Sequence, residues 1–133
     1  MIEAVNPPGA GFPGVSTATI ARDGDIMILS GHVPTDDDGN VIDGDFEDQV
    51  RAVFANIGKT LKAAGVDFDA VIRLTYYIKD FEPGMLDAIK KVRGPLLSQD
   101  TPPASALISV SGMYDPKIRI EVDGFVEVPR RNA

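Results

Sequence analysis

The stretch Val71-Ile72-Arg73-Leu74-Thr75-Tyr76-Tyr77-Ile78 decides the fold. It is dense in β-branched and aromatic residues, which predicts an interior strand. The preceding segment, Phe46 to Ala64, carries apolar residues at steps of three and four, which predicts a helix with one buried side. These apolar residues are Phe46, Val50, Val53, Phe54, Ile57 and Leu61. Asp45 can cap the start of this helix and Gly65 its end. The two segments therefore form part of a strand, helix, strand crossover.

A second helix is predicted after this strand. Pro83 suits a first helical turn, whereas Gly94-Pro95 should disturb the end of the helix. Its apolar stripe consists of Met85, Leu86, Ile89, Val92 and Leu96. We expect the charged Lys90, Lys91 and Arg93 to face outward or toward a partner.

Further strands are predicted on both sides of this centre: Ser16–Ala21, Ile26–Ser30, Ala104–Val110 and Lys117–Val128. Asp23-Gly24-Asp25 reads as a hairpin turn between the first two. Asn6 to Gly14 is rich in proline and glycine, which predicts an irregular arm. The order is β-β-α-β-α-β-β, so we expect one α+β domain over residues 1–133, with both helices on one face of a mixed sheet.

Composition excludes several classes of function. The 133 residues include no cysteine and one histidine, so thiol chemistry is excluded and no His/Cys cluster can bind zinc. A formal net charge of -7 opposes binding to nucleic acid. The chain shows neither a signal peptide nor a membrane span, so a cytoplasmic protein without a membrane partner is expected. No feature predicts a metal or an organic cofactor.

Two short motifs are weaker than they look. Gly9, Gly11 and Gly14 fit G-x-G-x-x-G, but no predicted strand precedes them and Pro13 interrupts them, so turn chemistry explains them better. Asp36-Asp37-Asp38-Gly39-Asn40 resembles the start of a calcium loop. The sixth position of that loop requires glycine and is Val41 here, so an acidic turn is expected instead.

The last predicted strand separates charge from apolar surface. Its side chains alternate between two faces, Ile118, Ile120 and Val122 on one and Lys117, Arg119, Glu121 and Asp123 on the other. The alternation alone is equally compatible with solvent exposure and with a functional surface.

In ordered combination, several stretches resemble the Rid family, also called the YjgF/UK114 family. They are Ile28-Leu29-Ser30-Gly31-His32-Val33-Pro34, Gln49-x-Arg51, Asn56, Ala63-Ala64-Gly65, Tyr77-Ile78-Lys79-Asp80, Pro103-Ala104 and Lys117-Ile118-x-Ile120-Glu121. The resemblance covers nearly the whole chain and needs almost no gaps.

The resemblance implies a chorismate-mutase-like fold and a homotrimer with a small-molecule pocket at each subunit interface. It also implies hydrolysis of reactive enamines and imines, such as 2-aminoacrylate, to a keto acid and ammonia. In the family an arginine grips the substrate carboxylate in a bidentate fork, for which its planar donors are suited. A glutamate on the final strand positions the water.

The chain departs from the family where that chemistry is located. The family arginine falls on Ser105, and the water-handling glutamate falls on Arg119 although Glu121 is retained. The family tyrosine falls on Val15, and a pocket asparagine falls on Ala88. Loss of the charged contact should make turnover of 2-aminoacrylate slow or absent. We hypothesise that Arg119 restores a cation from a neighbouring strand, in a pocket for a small, anionic ligand.

The resemblance makes His32, Glu121 and Ser105 the candidate catalytic residues. His32 and Glu121 would handle protons, while Ser105 would orient water or a polar substrate, because without a nearby base a serine is a poor nucleophile. His32 has the alternative of simply ending a strand. Arg119 has the alternative of an intersubunit ion pair with Glu121 or Asp123.

The candidate substrate-binding residues are Ser30, Gly31, Ser16, Tyr114 and Arg119. Gly31 would act through its backbone, which a ligand can approach closely because there is no Cβ. Tyr114 would stack on a ligand or serve as an ordinary turn aromatic. The leading hypothesis is a trimeric deaminase-like hydrolase of a small nitrogen compound other than 2-aminoacrylate. The alternative is a non-catalytic trimer that binds a metabolite or partner protein, and a ribonuclease is disfavoured by the acidic charge.

Overall fold

The computed structural model describes residues 1–9 and 12–131. Its strands are β1 (Ile2–Val5), β2 (Ala18–Ala21), β3 (Asp25–His32), β4 (Val71–Lys79), β5 (Ala104–Val110) and β6 (Ile120–Val128). Its helices are α1 (Phe46–Ala63) and α2 (Pro83–Arg93), and a short 3-10 turn, Phe68–Ala70, leads into β4. The predicted order of elements is present, preceded by one further strand.

In the described part of the chain, four strands form a mixed sheet in the order β3-β6-β4-β5. Strand β6 runs antiparallel to β3 and β4, whereas β4 and β5 are parallel. Parallel neighbours need a crossover, and α2 provides it between β4 and β5. The α+β fold class predicted from the sequence, two helices packed on a mixed sheet, is confirmed.

Helix α1 begins at Phe46, as its sequence predicts, and ends at Ala63, one residue before the predicted end. The Asp45 carboxylate accepts the backbone N–H of Asp48 at 2.9 Å, and the Asp48 carboxylate accepts the N–H of Asp45 at 3.1 Å. This reciprocal pair is a capping box. Gly65 follows the helix with φ at +77°, a conformation that glycine adopts without strain.

The hydrophobic core lies between the helices and one face of the sheet. Helix α1 contributes Val50, Val53, Phe54, Ile57 and Leu61, and the sheet contributes Leu29, Leu74, Tyr76, Ile78, Ile120, Val122 and Val126. The apolar half of the alternating last strand is thus buried, as predicted. Among residues 1–9 and 12–131, no helix packs against the opposite face of the sheet, which we call the open face.

The predicted hairpin between the first two strands is wrong. Strand β2 pairs with β1, and β3 pairs with β6. Only four residues of β1 precede the proline-rich arm, too few for a recognisable alternation, so its pairing with β2 left no signal. Strand β6 begins at Ile120 rather than at Lys117, because a turn ends just before it.

The predicted arm is irregular in residues 6–9 and 12–14. Ala10 and Gly11 lie outside the described residues, and Gly11 is the middle glycine of the G-x-G-x-x-G pattern. The acidic turn closes on itself, because the Asp36 carboxylate accepts the backbone N–H groups of Asp38 and Asn40, each at 3.0 Å. Among the described helices, neither is long and apolar enough to cross a membrane.

Candidate functional site

The predicted site residues lie on opposite faces of the sheet. Ser105 on β5 pairs with Leu74 on β4, and paired residues of neighbouring strands share a face, so Ser105 faces the helices. Glu121 on β6 pairs with Tyr77, which follows the buried Tyr76 and therefore belongs to the open face. One chain consequently holds two separate groups of candidate residues.

Ser105 lines a cavity of about 380 Å³ between α2, β5 and the N-terminal arm. We call it the helix-side cavity. The residues that line it are Phe12, Val15, Tyr76, Phe81, Leu86, Lys90, Arg93, Ser105, Ala106 and Leu107. Two of them, Ser105 and Val15, are positions where the sequence departs from the Rid pattern. Two of the four departures thus line one cavity, whereas Arg119 and Ala88 do not line it.

Arg93 does not face outward, contrary to the expectation from its charge. Its side chain is 6% exposed, and its guanidinium lies 5.6 Å from the centre of the Tyr76 ring, a cation–π contact. Sequence reasoning missed this residue, although its spacing carried the signal. Arg93 follows Leu86 by seven residues and Ile89 by four, which places it on the apolar stripe of α2.

Tyr76 is the aromatic residue whose ring contacts the Arg93 guanidinium. Burial raises the pKa of the Tyr76 phenol, and the nearby Arg93 charge opposes that shift. The phenol therefore stays neutral over the physiological range. Its ring offers the guanidinium a π face and no compensating negative charge.

Ser16 joins the arm to β5. Its hydroxyl donates to the carbonyl of Pro102, and its N–H donates to the carbonyl of Pro103 at 3.2 Å. The side chain is buried. Both polar groups of Ser16 thus hold the arm beside the helix-side cavity, while its predicted contact with a ligand stays a prediction.

Ser30 and Gly31 form an irregularity in β3 against β6. Leu29 pairs with Gly124 and His32 with Val122, so β3 carries one residue more than β6 between these pairs. That count defines a β-bulge, a feature often found beside active sites. A Cβ built on Gly31 would lie 2.1 Å from the Glu121 carboxylate oxygen Oε2. The structure therefore brings Gly31 and Glu121 together, and only glycine leaves room for that approach.

His32 is held within its own chain. Its Nε2 lies 2.8 Å from the Thr60 hydroxyl on α1, and its Nδ1 lies 2.7 Å from the Ser30 carbonyl. A neutral imidazole can donate from one nitrogen and accept at the other, which satisfies both contacts. The ring thereby fixes the bulge to α1, and a role in proton transfer stays a prediction.

Arg119 lies apart from Ser105. The expectation that Arg119 lies on a strand next to that of Ser105 is wrong. Arg119 directly precedes β6, and β4 lies between β6 and β5. The Arg119 guanidinium donates to the Gly44 carbonyl at 2.8 Å, and its backbone N–H donates to the Gln49 side chain at 2.9 Å. It lines a different hollow of about 560 Å³, together with both acidic and basic side chains. Within a single chain Arg119 does not restore the cation lost at Ser105.

Tyr77 is an open-face residue that sequence reasoning did not single out. Its hydroxyl donates to the Asp123 carboxylate at 3.2 Å. Desolvation, followed by the charges of Asp123 and Glu121, raises the pKa of Tyr77. The strand pairing placed it opposite Glu121, and that register cannot be derived from one sequence. Tyr114 is 75% exposed in the turn before β6.

The fold and these two groups of residues define a class of small α+β proteins with two helices on a mixed sheet. Residues 15–128 match the sequence model of the family described as Endoribonuclease L-PSP. The chain belongs to this family, which is the Rid or YjgF family.

Individual relatives agree with this assignment. The chain is 33% identical to the RutC family protein YjgH of Escherichia coli over 101 residues, which covers 74% of this chain and 76% of that protein. A match at 40% identity to the RutC family protein PH0854 of Pyrococcus horikoshii spans 58 residues, 43% of this chain and less than half, 46%, of that protein.

Solved structures give the same answer. The structure of YyfB from Yersinia pestis, a Rid family protein of unknown function, superposes with a TM-score of 0.89 at 26% identity, covering 96% of this chain and 98% of that one. The structure of the protein YJGH gives a TM-score of 0.71 at 28% identity, covering 97% and 98%.

Proposed function

We propose that the protein is a homotrimeric hydrolase that cleaves the C–N bond of a small nitrogen-containing metabolite in a pocket between subunits. The observation that carries the proposal is the placement of Ser105 and Glu121 on opposite faces of one sheet. A single chain cannot bring both groups to one ligand. A second copy that lays its open face near the β5 edge of the first would join them.

The open face exposes several large apolar side chains to solvent. Ile26, Ile28, Ile108 and Phe125 are exposed, and Ile28 is the most exposed of the four at 72%. Clustered apolar side chains of this kind mark interaction surfaces rather than ordinary solvent-facing sheet. Burying them against another copy supports the trimer expected from the family.

The chemistry proposed is attack of water on the carbon of an imine. Glu121 accepts a proton from the water, oxygen bonds to the carbon, and the nitrogen receives protons until ammonia leaves and a carbonyl remains. The imine and one water thus become a carbonyl compound and ammonia, with no oxidant required. A carboxylate general base of this type contributes about 10²- to 10⁴-fold.

The substrate proposed is not 2-aminoacrylate. Ser105 offers one neutral hydroxyl at the position where the family has its carboxylate-binding arginine, and charge-assisted bidentate contacts are about twice as strong as neutral ones. A substrate with little besides its carboxylate to bind would therefore be held poorly at Ser105. Binding must draw on other walls of the pocket.

The test is ammonia release from 2-aminoacrylate and from a panel of imines and enamines, using wild type, Glu121→Gln and Asp87→Asn. Asp87 is an exposed carboxylate on α2 and serves as the matched control. We expect at least one larger imine to be hydrolysed, Glu121→Gln to lose at least 100-fold, and the control to match wild type. A wild type that is inert on the whole panel would exclude the hydrolase.

The trimer is tested by Ile28→Asp, which places a charge on the open face without touching the core. We expect the wild type to elute and scatter light as a trimer and the variant as a monomer without activity. A monomeric wild type that still hydrolyses imines would refute the shared pocket.

A second candidate function is a non-catalytic trimer that binds a metabolite. It is favoured by His32 and Ser16, whose polar side-chain groups already bond within the chain. Under this reading a ligand would occupy the pocket in a crystal of the purified protein, and Glu121→Gln would leave its affinity nearly unchanged.

A further inference from the structure

We propose that Arg93 and Lys90 on α2 form the anion-binding centre of the helix-side cavity, which takes a small carboxylate carrying an apolar tail. This inference rests on the proposed function in one respect, that the cavity is part of the substrate pocket. It names the cation that replaces the family arginine and the class of ligand that follows.

The charges around the cavity are all of one sign. The chain has 20 acidic residues against 13 lysines and arginines, yet the described residues that line this cavity include two cations and no carboxylate. Lys90 and Arg93 are three residues apart on one helix, so their side chains lie on the same side of α2. In a protein of net charge -7, a cavity with only positive groups is selective for anions.

Arg93 is buried, and within the described part of the chain it has no counter-ion. Among residues 1–9 and 12–131, the ion pairs formed by lysine and arginine involve other cations, and no carboxylate pairs with the Arg93 guanidinium. Removing a guanidinium from water is costly unless charge or hydrogen bonds compensate. Tyr76 supplies a part, through the π face of its ring and through its hydroxyl, which interacts with the guanidinium. A bound carboxylate would supply the rest, in the bidentate geometry that a guanidinium favours.

The other residues that line the cavity determine which chemical group is attached to the anion. The apolar residues Phe12, Val15, Phe81, Leu86 and Leu107 line the cavity together with the two cations. A cavity of about 380 Å³ that is mostly apolar, with few polar groups, is typical of a site for a small organic ligand. An inorganic anion or a bare short acid would leave this apolar surface unused.

The small side chain of Ser105 is consistent with a ligand that has an apolar tail. An arginine at this position would extend from β5 into the cavity and fill the volume that the tail needs. The small serine leaves that volume open, while the positive charge comes from α2 on the opposite wall. The change at Ser105 and the presence of Arg93 thus act together, moving the charge across the cavity and making room for a larger ligand.

The experiment is isothermal titration calorimetry of the full chain with 3-phenylpropanoate, a carboxylate with an apolar tail that contains no bond for the enzyme to hydrolyse. The neutral isostere 3-phenylpropanamide tests the charge, and acetate tests the tail. The variants are Arg93→Met, Lys90→Met and Lys91→Met. Lys91 neighbours Lys90 on α2 without lining the cavity, so it is the matched control.

We expect wild type to bind 3-phenylpropanoate about 10- to 100-fold more tightly than the amide or acetate, because a charged hydrogen-bonded contact is lost with one and the tail with the other. Arg93→Met should lose a similar factor, Lys90→Met a smaller one, and Lys91→Met none. A wild type that does not prefer the carboxylate, or an Arg93→Met variant that binds as wild type does, overturns the proposal.

A further variant covers the case in which Arg93→Met does not fold. Ser105→Glu places a carboxylate inside the cavity, where it should pair with Arg93, raise the melting temperature and abolish binding of 3-phenylpropanoate. Unchanged binding in Ser105→Glu overturns the proposal. The outcome is independent of catalysis: carboxylate binding without ammonia release from any imine rejects the hydrolase alone, and ammonia release with unchanged binding in Arg93→Met rejects only this inference.

Discussion

The two faces of the sheet differ although the same strands build them. On the helix-covered face, Leu74, Ile120 and Val122 are completely buried, and so is Ile57 of α1. On the open face, Ile28 is 72% exposed and lies on the same sheet as charged and hydroxyl groups, among them Glu121 and Tyr77. Strand β6 contributes to both surfaces, because its side chains alternate in burial from Ile120 to Val126.

The two faces differ in whether a single chain can bury their apolar surface. The covered face satisfies its apolar surface internally, which stabilises the fold. The open face keeps apolar surface in contact with solvent. Burying that surface would stabilise the protein by roughly 25 cal/mol for each square ångström removed from water. Substitutions on the first face should therefore act on the stability of the chain, and substitutions on the second on its assembly and chemistry.

The largest expected effect is that of Ile57→Ala in the covered core. Deleting buried methyl and methylene groups costs about 2–5 kcal/mol of unfolding free energy, since a cavity remains. Chemical denaturation monitored by circular dichroism measures this loss. Ile28→Ala is the matched open-face variant. If another copy covers that face, its loss of stability depends on protein concentration. Equal, concentration-independent losses in both variants would erase the distinction between the faces.

A smaller effect is expected from adding one methyl group at glycines on the two sides. A Cβ built on Gly124 would lie 2.1 Å from the backbone carbonyl oxygen of Arg73, which cannot move without disrupting the sheet. At Gly31 the obstacle is the movable end of the Glu121 side chain. Gly124→Ala should cost about 1–3 kcal/mol by overpacking. Gly31→Ala should leave the melting temperature nearly unchanged and displace Glu121.

Comparing the melting temperature with ammonia release distinguishes the two glycines. The result that contradicts the assignment is the reverse order, in which Gly31→Ala unfolds the protein and Gly124→Ala does not. Crystals of Gly31→Ala should contain Glu121 in another rotamer.

The covered face was largely predictable from sequence because it follows periodic patterns. The stripe from Phe46 to Leu61 and the alternation through Ile120 and Val122 report burial directly, and both are confirmed. The family match, confirmed over residues 15–128, depends on the same elements. Arg93 was missed because its charge was given more weight than its place on the stripe.

The open face and the site were less predictable because they depend on pairing between distant segments. The positions of Glu121 beside Gly31 and of β4 between β5 and β6 are set by strand order, which leaves no local pattern. The predicted hairpin failed for the same reason, since a plausible turn at Asp23-Gly24-Asp25 does not reveal which strands pair. The roles expected of Ser105, Arg119 and Tyr114 stay predictions.

The smallest expected effect concerns pH and the cap of the helix that covers the first face. The hydrogen bond from the Asp48 backbone N–H holds the pKa of Asp45 below its ordinary value of 3.8. Because the folded pKa is lowered, the charged cap stabilises the fold fully above pH 3.8, and this contribution is lost as the pH falls through the lower folded value.

Asp45→Asn keeps a capping side chain without the titration, so its melting temperature should fall below that of wild type by a few degrees at neutral pH and converge with it in acid. Thermal melts between neutral pH and the acid limit measure the difference. The open-face Tyr77 titrates with the opposite sign: its raised pKa gives a contribution that is complete below its ordinary value of 10.0 and lost at alkaline pH. Tyr77→Phe should therefore be less stable than wild type at neutral pH and converge with it at alkaline pH. A Tyr77→Phe variant that instead removed the acid dependence would show that the two faces do not titrate independently.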